Sequence, residues 1–368
     1  MPTVVRSLAA AVVFLAGAAQ AQVIQSESGP IAVEQLADGL SHPWGMAFLP
    51  DGRLLVTERA GRLRILDPDG KLSDPLPGTP EVVARGQGGL LDVALDPQFE
   101  TNRLVYLSYA EPGDGGATTA LGRGRLADDR VEGFEVLFRK TPRFEGSRHF
   151  GGRIVFAPDG TLFLTLGERG QLDPAQDLSN HLGTIVRLNP DGSVPDDNPF
   201  VGRGGARPEI WSYGHRNIEG AAIHPETGDL WVVEMGPRGG DELNRPEAGR
   251  NYGWPAVSWG KHYDGTDIPD PPTRPEFADA VEHWVPSISP SGLLFYTGDV
   301  FPAWRGSALI GALSGRAIVR VTIENQTVTA EEHITMATRI RDLEQAPNGA
   351  VYVLTDEADG KVWRLRPL

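Results

Sequence analysis

A turn followed by a short apolar run recurs along the chain. Pro50-Asp51-Gly52 leads into Arg53-Leu54-Leu55-Val56-Thr57, and Pro158-Asp159-Gly160 leads into Thr161-Leu162-Phe163-Leu164-Thr165, nearly the same segment. Weaker copies run from Asp96-Pro97 into Leu104-Val105-Tyr106-Leu107 and from His224-Pro225 into Leu230-Trp231-Val232-Val233. Two more run from Pro290-Ser291-Gly292 into Leu293-Leu294-Phe295 and from Pro347-Asn348-Gly349 into Val351-Tyr352-Val353-Leu354. Between Pro50 and Pro347 the six prolines recur at a mean of about 59 residues, longer than the roughly 40 to 50 of common propeller repeats, which places the excess in loops. The runs are β-branched and aromatic, the turns carry Asp-Gly or Asn-Gly, and segments of helical period hardly occur between them. Six such units predict an all-β fold, a six-bladed β-propeller forming one domain over residues 22–368, in which radial repetition protects the sheet edges. A pair of sandwiches has no reason to repeat at this period, and a β-helix repeats more tightly.

Two stretches imitate ligand motifs. Gly122-Arg123-Gly124-Arg125-Leu126-Ala127 has the letters of a dinucleotide fingerprint, but Asp128, Asp129 and Arg130 follow instead of an amphipathic helix, so a strand is expected. Asp67-Pro68-Asp69-Gly70 opens like a calcium-binding loop, but Gly78 stands where a bidentate glutamate is needed, so a turn is expected.

The first residues have a different pattern. Arg6 precedes an apolar run from Leu8 to Ala19, and Ala19-Gln20-Ala21 fits a signal-peptidase site before Gln22, so residues 1–21 read as a secretory signal peptide. The run is too short to span a bilayer, and no later stretch reaches about 18 apolar residues. The mature chain is therefore expected to be periplasmic or secreted, with no membrane insertion. The 368 residues include 49 acidic and 34 basic side chains, a net charge of −15, which argues against nucleic acid or an anionic lipid surface as partner. Absence of cysteine rules out disulfides, thiolate metal sites, a cysteine nucleophile and covalently attached c-type haem. Any redox cofactor is then held noncovalently, and its electrons leave to a separate acceptor.

Equivalent positions of successive blades form a ring around a propeller's axis. Counting back from the turn prolines finds Gln87 before Pro97, His149 before Pro158, Arg216 and Asn217 before Pro225, and Arg339 and Arg341 before Pro347, with Trp44 near the same phase in the first unit. Three arginines aimed at one channel repel each other unless an anion sits between them, or unless each pairs with a carboxylate such as Glu219, Asp342 or Glu344. His149 is followed by Gly151-Gly152, glycines that let a backbone approach a ligand, and its blade supplies Glu168, a carboxylate placed to orient the imidazole and stabilise its protonated form. The glycine-rich loop from Glu234 to Glu242 frees backbone carbonyls of the kind a hard cation accepts, although such loops are more often simple turns.

Six ordered segments stand out: Pro43-Trp44-Gly45-Met46-Ala47-Phe48, Gly86-Gln87-Gly88-Gly89-Leu90-Leu91, His149-Phe150-Gly151-Gly152-Arg153, Gly214-His215-Arg216-Asn217, Glu234-Met235-Gly236-Pro237 and Arg339-Ile340-Arg341-Asp342. Together they resemble the soluble pyrroloquinoline quinone (PQQ)-dependent sugar dehydrogenases, and among them the aldose sugar dehydrogenases. The resemblance runs from about residue 30 to the C-terminus. It implies that Gln87, His149, Arg216, Asn217, Arg339 and Arg341 contact PQQ, that the carbonyls of Gly236 and Pro237 bind calcium, and that His149 is the general base with Glu168 behind it and Arg216 beside the quinone. It further implies a sugar substrate oxidised at C1 to a lactone, with an external quinone, cytochrome or dye as electron acceptor. The chain departs from the glucose dehydrogenase pattern twice. No lysine occurs in Gly311-Ala312-Leu313-Ser314-Gly315-Arg316, where that branch has a cofactor-binding one, and Glu168 replaces an aspartate. The stretch from Asn251 to Tyr263, with Trp254, Trp259 and His262, offers either an aromatic wall for a sugar ring or loop packing. Two other classes share the fold: a calcium-dependent lactonase, with carboxylate and asparagine ligands in place of an arginine ring, and a noncatalytic binding propeller.

Overall fold

The computed structural model describes residues 22–268 and 271–368. The signal peptide read over residues 1–21 lies outside them. Among the described residues the strands form six sheets, and the innermost strands are Pro43–Phe48, Leu90–Leu95, Gly151–Phe156, Ile218–Ile223, Pro290–Phe295 and Ile340–Gln345. Each inner strand packs against that of the next sheet, and Ile340–Gln345 returns to Pro43–Phe48, so the six sheets close as the blades of a propeller.

The apolar runs read from the sequence are, in five units, the second strands: Leu54–Glu58, Leu104–Glu111, Leu162–Leu166, Leu230–Glu234 and Val351–Thr355. All but the ends of Leu104–Glu111 are buried along these strands, because neighbouring blades cover both faces, and continuous rather than alternating hydrophobicity results. The fifth unit corrects the reading. Pro290 opens the inner strand instead of the turn, Leu293–Phe295 complete that strand, and the second strand is Ala308–Ala312 after a long connection containing the turn Pro302–Trp304. Gly122–Leu126 lie in the strand Thr118–Leu126, and residues 67–70 form a turn, as expected.

Closure uses the N-terminus. Gly29–Leu40 pairs antiparallel with Gly360–Pro367, Ile31 opposite Pro367 and Leu40 opposite Gly360, and Gln22–Ser26 adds the outermost strand. The sixth sheet thus has five strands and the first has three. Apolar side chains form wedges between blades. Leu55, Leu63, Leu90, Val93, Val105 and Leu107 fill the wedge between the first two, and Ile31, Leu309, Ile318, Leu343, Val353 and Leu365 fill that between the last two.

A buried charged cluster occupies the axis, centred on one guanidinium. Arg153, 4% exposed, pairs with Asp92 (3.3 Å) and Asp342 (2.9 Å), and donates to the carbonyls of Glu219 (2.7 Å) and Arg341 (3.3 Å). It therefore ties the second, third, fourth and sixth blades together, with its guanidinium over the Trp44 ring at 4.2 Å. A channel cavity of about 300 Å³ borders this group and is lined by Asp92, Arg153, Asp342, Glu344 and apolar residues of the inner strands.

Candidate active site

The residues at the shared phase stand at or just before the starts of the inner strands, so the fold brings them to one end of the channel. Gln87 precedes Leu90–Leu95, His149 precedes Gly151–Phe156, Arg216 and Asn217 precede Ile218–Ile223, and Arg339 and Arg341 flank the start of Ile340–Gln345. Contacts between them cross blades. The His149 N–H donates to Gln87 Oε1 at 2.5 Å, and Arg341 Nη1 donates to Glu219 Oε2 at 2.9 Å.

His149 is held in an unusual backbone conformation. Its φ is +55°, a left-handed value that costs a residue bearing a Cβ about 1 to 2 kcal/mol, and the surrounding hydrogen bonds maintain it. Gly151 and Gly152 follow with φ of +66° and +121°. A Cβ on Gly151 would stand 2.6 Å from the Thr165 carbonyl oxygen, and one on Gly152 would stand 2.7 Å from Leu91 Cδ1, so these glycines serve packing between strands and blades, not the approach of a ligand. The imidazole is buried. Its Nδ1 meets Glu168 Oε1, and the other Glu168 oxygen accepts from the Leu172 N–H at 3.0 Å. Burial drives the His149 pKa down to about 4, outweighing the upward pull of Glu168, and the Arg216 guanidinium pushes the same way. The expected stabilisation of a protonated imidazole is therefore not what the site provides. At neutral pH the ring is neutral, Nδ1–H pointing at the carboxylate leaves the Nε2 lone pair as a proton acceptor, and Glu168 sets that tautomer.

Glu168 is positioned by backbone. Its N–H donates to the Arg216 carbonyl at 2.9 Å, Gly167 N–H to that of Phe150 at 3.2 Å and Arg169 N–H to that of His149 at 3.3 Å. The remaining Gly167 carbonyl accepts from Lys140 Nζ, a fully buried lysine that the sequence reading passed over. Arg216 is anchored through its own N–H to Glu234 Oε2 (2.8 Å), whose other oxygen holds His215 Nδ1 (2.9 Å), with Ser212 Oγ on His215 Nε2 (2.9 Å). This Ser-His-Glu relay is buried throughout and serves as scaffold.

The arginines divide between the two sequence alternatives. Arg339 and Arg341 both pair with Asp356 Oδ2, at 3.0 and 2.9 Å, and Arg341 also takes Glu219. Burial alone would raise the Asp356 carboxyl, but Arg341 and Arg339 outweigh it and hold its pKa at about 2. Arg216 has only neutral partners among the described residues: the carbonyls of Met235 (2.8 Å) and Gly236 (2.7 Å) and the Tyr263 hydroxyl (3.2 Å). The other suggested partners lie elsewhere, since Asp342 belongs to Arg153 and Glu344 lines the channel. Asn217 is fully buried, donating to Glu219 Oε1 (2.8 Å) and accepting from the Gly151 N–H (3.2 Å), so its amide faces internal partners instead of a ligand.

A cleft of about 170 Å³ opens over His149, Glu168 and Arg216, walled by Pro237, Trp254, His262 and Tyr263. Trp259 stacks on His283 instead, ring centroids 3.9 Å apart, so the aromatic stretch contributes Trp254, His262 and Tyr263 to the wall and Trp259 to loop packing. Asp356 and Arg59 were missed by counting back from turn prolines. Both immediately follow a second strand, as Gly167-Glu168 does, and this second phase was available in the sequence. With Arg59 included, four guanidinium groups share this end of the channel with the carboxylates of Asp356 and Glu219, while Glu168 is committed to His149.

The family model described as Glucose / Sorbosone dehydrogenase matches residues 40–364. The chain belongs to that family. A curated member, the aldose sugar dehydrogenase YliI of Escherichia coli, is 46% identical over 347 residues, covering 92% of this chain and 93% of its own. The solved apo-form of the soluble aldose sugar dehydrogenase from Escherichia coli superposes with a TM-score of 0.89 at 45% identity, over 92% of this chain and 100% of the other. The PQQ-bound aldose sugar dehydrogenase of Streptomyces coelicolor superposes with a TM-score of 0.76 at 27% identity, over 91% and 98% of the two chains. Members of the glucose/sorbosone dehydrogenase family are oxidoreductases, and this chain is an enzyme of that kind.

Proposed function

We propose that the protein is a quinoprotein aldose dehydrogenase that oxidises a sugar at C1 to the lactone, with PQQ as the noncovalently held cofactor. The observation that carries this reading is the excess of guanidinium over carboxylate at the mouth of the channel, beside a neutral buried imidazole. Arg216 lacks a carboxylate partner, and the buried Nε atoms of Arg59, Arg216 and Arg341 have no hydrogen-bond partner among the described residues. A polycarboxylate fits such a seat, and PQQ carries three carboxylates. Gln87, Arg216, Arg339 and Arg341 would hold it, with Asn217 fixing the strand start beneath. When bound, PQQ supplies the acceptor for the hydride leaving C1. His149 Nε2 takes the proton of the C1 hydroxyl, Glu168 keeps the imidazole in the required tautomer and balances the imidazolium that forms, and Arg216 directs a fixed positive charge into the cleft. Trp254, His262 and Tyr263 offer apolar ring faces to the sugar and restrict water.

Calcium stands differently. The Gly236 carbonyl is engaged by Arg216, and among the described residues no group of three or more histidine, aspartate or glutamate side chains is arranged to hold a metal. Gly236 and Pro237 supply at most two of the roughly six to eight oxygens calcium takes, and the Gly236 oxygen already faces the Arg216 guanidinium. The protein as it stands does not fit the ion by itself. Calcium enters the proposal as a companion of the cofactor and is assigned no chemical step. Its binding to cofactor-free protein should be weak and should strengthen when PQQ is present, which isothermal titration with and without PQQ would show.

Export to the periplasm or medium runs through the segment 1–21, and electrons pass to an external quinone, cytochrome or dye, because the chain lacks cysteine for covalent haem. Purified apoprotein given PQQ and calcium should reduce an artificial dye in the presence of aldoses, and should not do so without PQQ. Protein that binds PQQ yet leaves a broad aldose panel unoxidised would remove the dehydrogenase reading. Lactone hydrolysis indifferent to PQQ would favour the lactonase class.

A further inference from the structure

Arg59 directly follows the strand Leu54–Glu58 and sits between two groups of the proposed cofactor seat. On one side its N–H donates to the His42 carbonyl at 3.1 Å, and His42 adjoins the sixth blade, its own N–H on the Glu357 carbonyl (2.8 Å) and its Nδ1 3.8 Å from Asp356 Oδ1. On the other side the Arg59 carbonyl accepts from the Leu90 N–H at 3.2 Å, directly after the Gly86-Gln87-Gly88-Gly89 turn. The approach is close: a Cβ on Gly89, whose φ is +139°, would stand 2.2 Å from that carbonyl oxygen. Arg59 is thereby fixed on the rim between Gln87 and the Arg339–Asp356–Arg341 cluster.

Its side chain is left without a counterion. Among the described residues Arg59 makes no salt bridge within 4 Å and no side-chain hydrogen bond, and its Nε is buried without a partner. The charges that act on it are Asp356 and Glu219, already bound to Arg341 and Arg339, and those two arginines themselves, which repel it. Burial and this repulsion both lower its pKa. A half-buried guanidinium held against two others, with the nearby carboxylates already shared, lacks only an anion to make the arrangement favourable.

We propose that Arg59 is an anion-holding residue at the same end of the channel, contacting a carboxylate of the bound cofactor from the first blade. The assignment rests on the reading that this end of the channel takes PQQ, and it adds a contact to the set drawn from the sequence. It also gives the seat a guanidinium from a blade that otherwise contributes none.

The test is titration of PQQ into apoprotein in calcium-containing buffer, followed by quenching of tryptophan fluorescence and by the absorbance of PQQ. Wild type would be compared with Arg59→Ala, Arg59→Gln and Arg59→Lys, and with Arg130→Ala, which removes an exposed charge on the second blade. Arg59→Ala and Arg59→Gln should weaken PQQ about 10- to 100-fold, the loss expected when a charged hydrogen bond disappears, and Arg59→Lys should lose less. In a separate titration without added calcium, which citrate would chelate, citrate, a tricarboxylate without the quinone, should compete with PQQ more strongly in wild type than in Arg59→Ala. Wild-type affinity in folded Arg59→Ala and Arg59→Gln would overturn the assignment while leaving the PQQ reading intact. An equal loss in Arg130→Ala would also overturn it, reducing the effect to net charge. Failure of wild type to bind PQQ at all would remove the underlying reading and this one with it.

Discussion

His149 shows how much of a residue's chemistry comes from its surroundings. An imidazole in water titrates near 6.5, whereas burial and Arg216 bring this one to about 4 despite Glu168. Between those values the unfolded chain binds a proton that the folded one does not, so this group's contribution to stability is complete above about pH 6.5 and is lost as the pH falls toward 4. In cofactor-free protein at pH 6, nitrogen NMR of the His149 ring should accordingly report a neutral imidazole protonated at Nδ1. Titration near 6.5 would show that the imidazole is not held as the structure holds it. His149→Ala should lower turnover by about 10² to 10⁴ at saturating PQQ while PQQ still binds, because in the proposed seat the anion contacts come from the arginines. Stopped-flow reduction of bound PQQ with a C1-deuterated aldose checks this, and turnover within a few-fold of wild type would end the general-base assignment. The pairing of His149 with Glu168 was legible in the sequence. The protonation state was not, because it depends on desolvation and on Arg216 arriving from the next blade.

Elements in this fold are stabilised by what lies on either side of them. Leu365 illustrates the point: it is fully buried, it sits opposite Val33 of the N-terminal strand and Val351 of the sixth blade's second strand, and it joins the wedge between the last two blades. Leu365→Ala should cost about 2 to 5 kcal/mol in urea unfolding, the range for a large buried side chain cut to alanine. A cost below 1 kcal/mol would mean that the closure strand is not part of the cooperative unit. Five of the six second strands were legible, because an Asp-Gly, Asn-Gly or Pro-containing turn marks their start and burial on both faces makes them continuously apolar. The fifth was displaced by one strand, because Pro290-Ser291-Gly292 has the letters of the repeat's turn but begins the inner strand, and the real connection runs from Tyr296 to Ser307. The pairing of Gly29–Leu40 with Gly360–Pro367 carries no local signal, since its partners lie at opposite ends of the chain.

Four of the six blades meet at one buried guanidinium. Arg153 reaches side chains or carbonyls from three other blades, and both of its carboxylates are buried. Even beside it, burial pushes the Asp92 pKa up to about 6, so the site tolerates little further loss of compensation. Arg153→Met should destabilise the protein by about 3 to 5 kcal/mol, the penalty for leaving buried carboxylates without their cation, and Arg153→Met combined with Asp92→Asn and Asp342→Asn should recover part of it. Chemical denaturation of the single and triple variants measures both quantities. A single variant as stable as wild type would show that the axis is filled by something other than this pair. The net charge of −15 gives no hint of such an arrangement, because the excess acid is distributed over the molecule while the guanidinium groups converge on one end of one channel.

What the sequence by itself determined is what repeats or what is chemically scarce. Turn residues at a recurring spacing specify the propeller, and His149, Arg216, Arg339 and Arg341 at one phase of that repeat specify a cluster, since symmetry converts equal phase into spatial proximity. Tertiary structure alone decided the partners. Arg339 and Arg341 share Asp356, Arg216 is left with carbonyls, Asn217 turns inward to Glu219, and Gly236 offers its oxygen to a guanidinium. Each of these outcomes depends on which of several nearby acceptors lies within about 3 Å in the right direction, a distance far smaller than the uncertainty of any count along a chain. The same reason hid Arg59: its importance lies in the absence of a carboxylate of its own, and an unmet charge becomes visible only when every neighbour is in place.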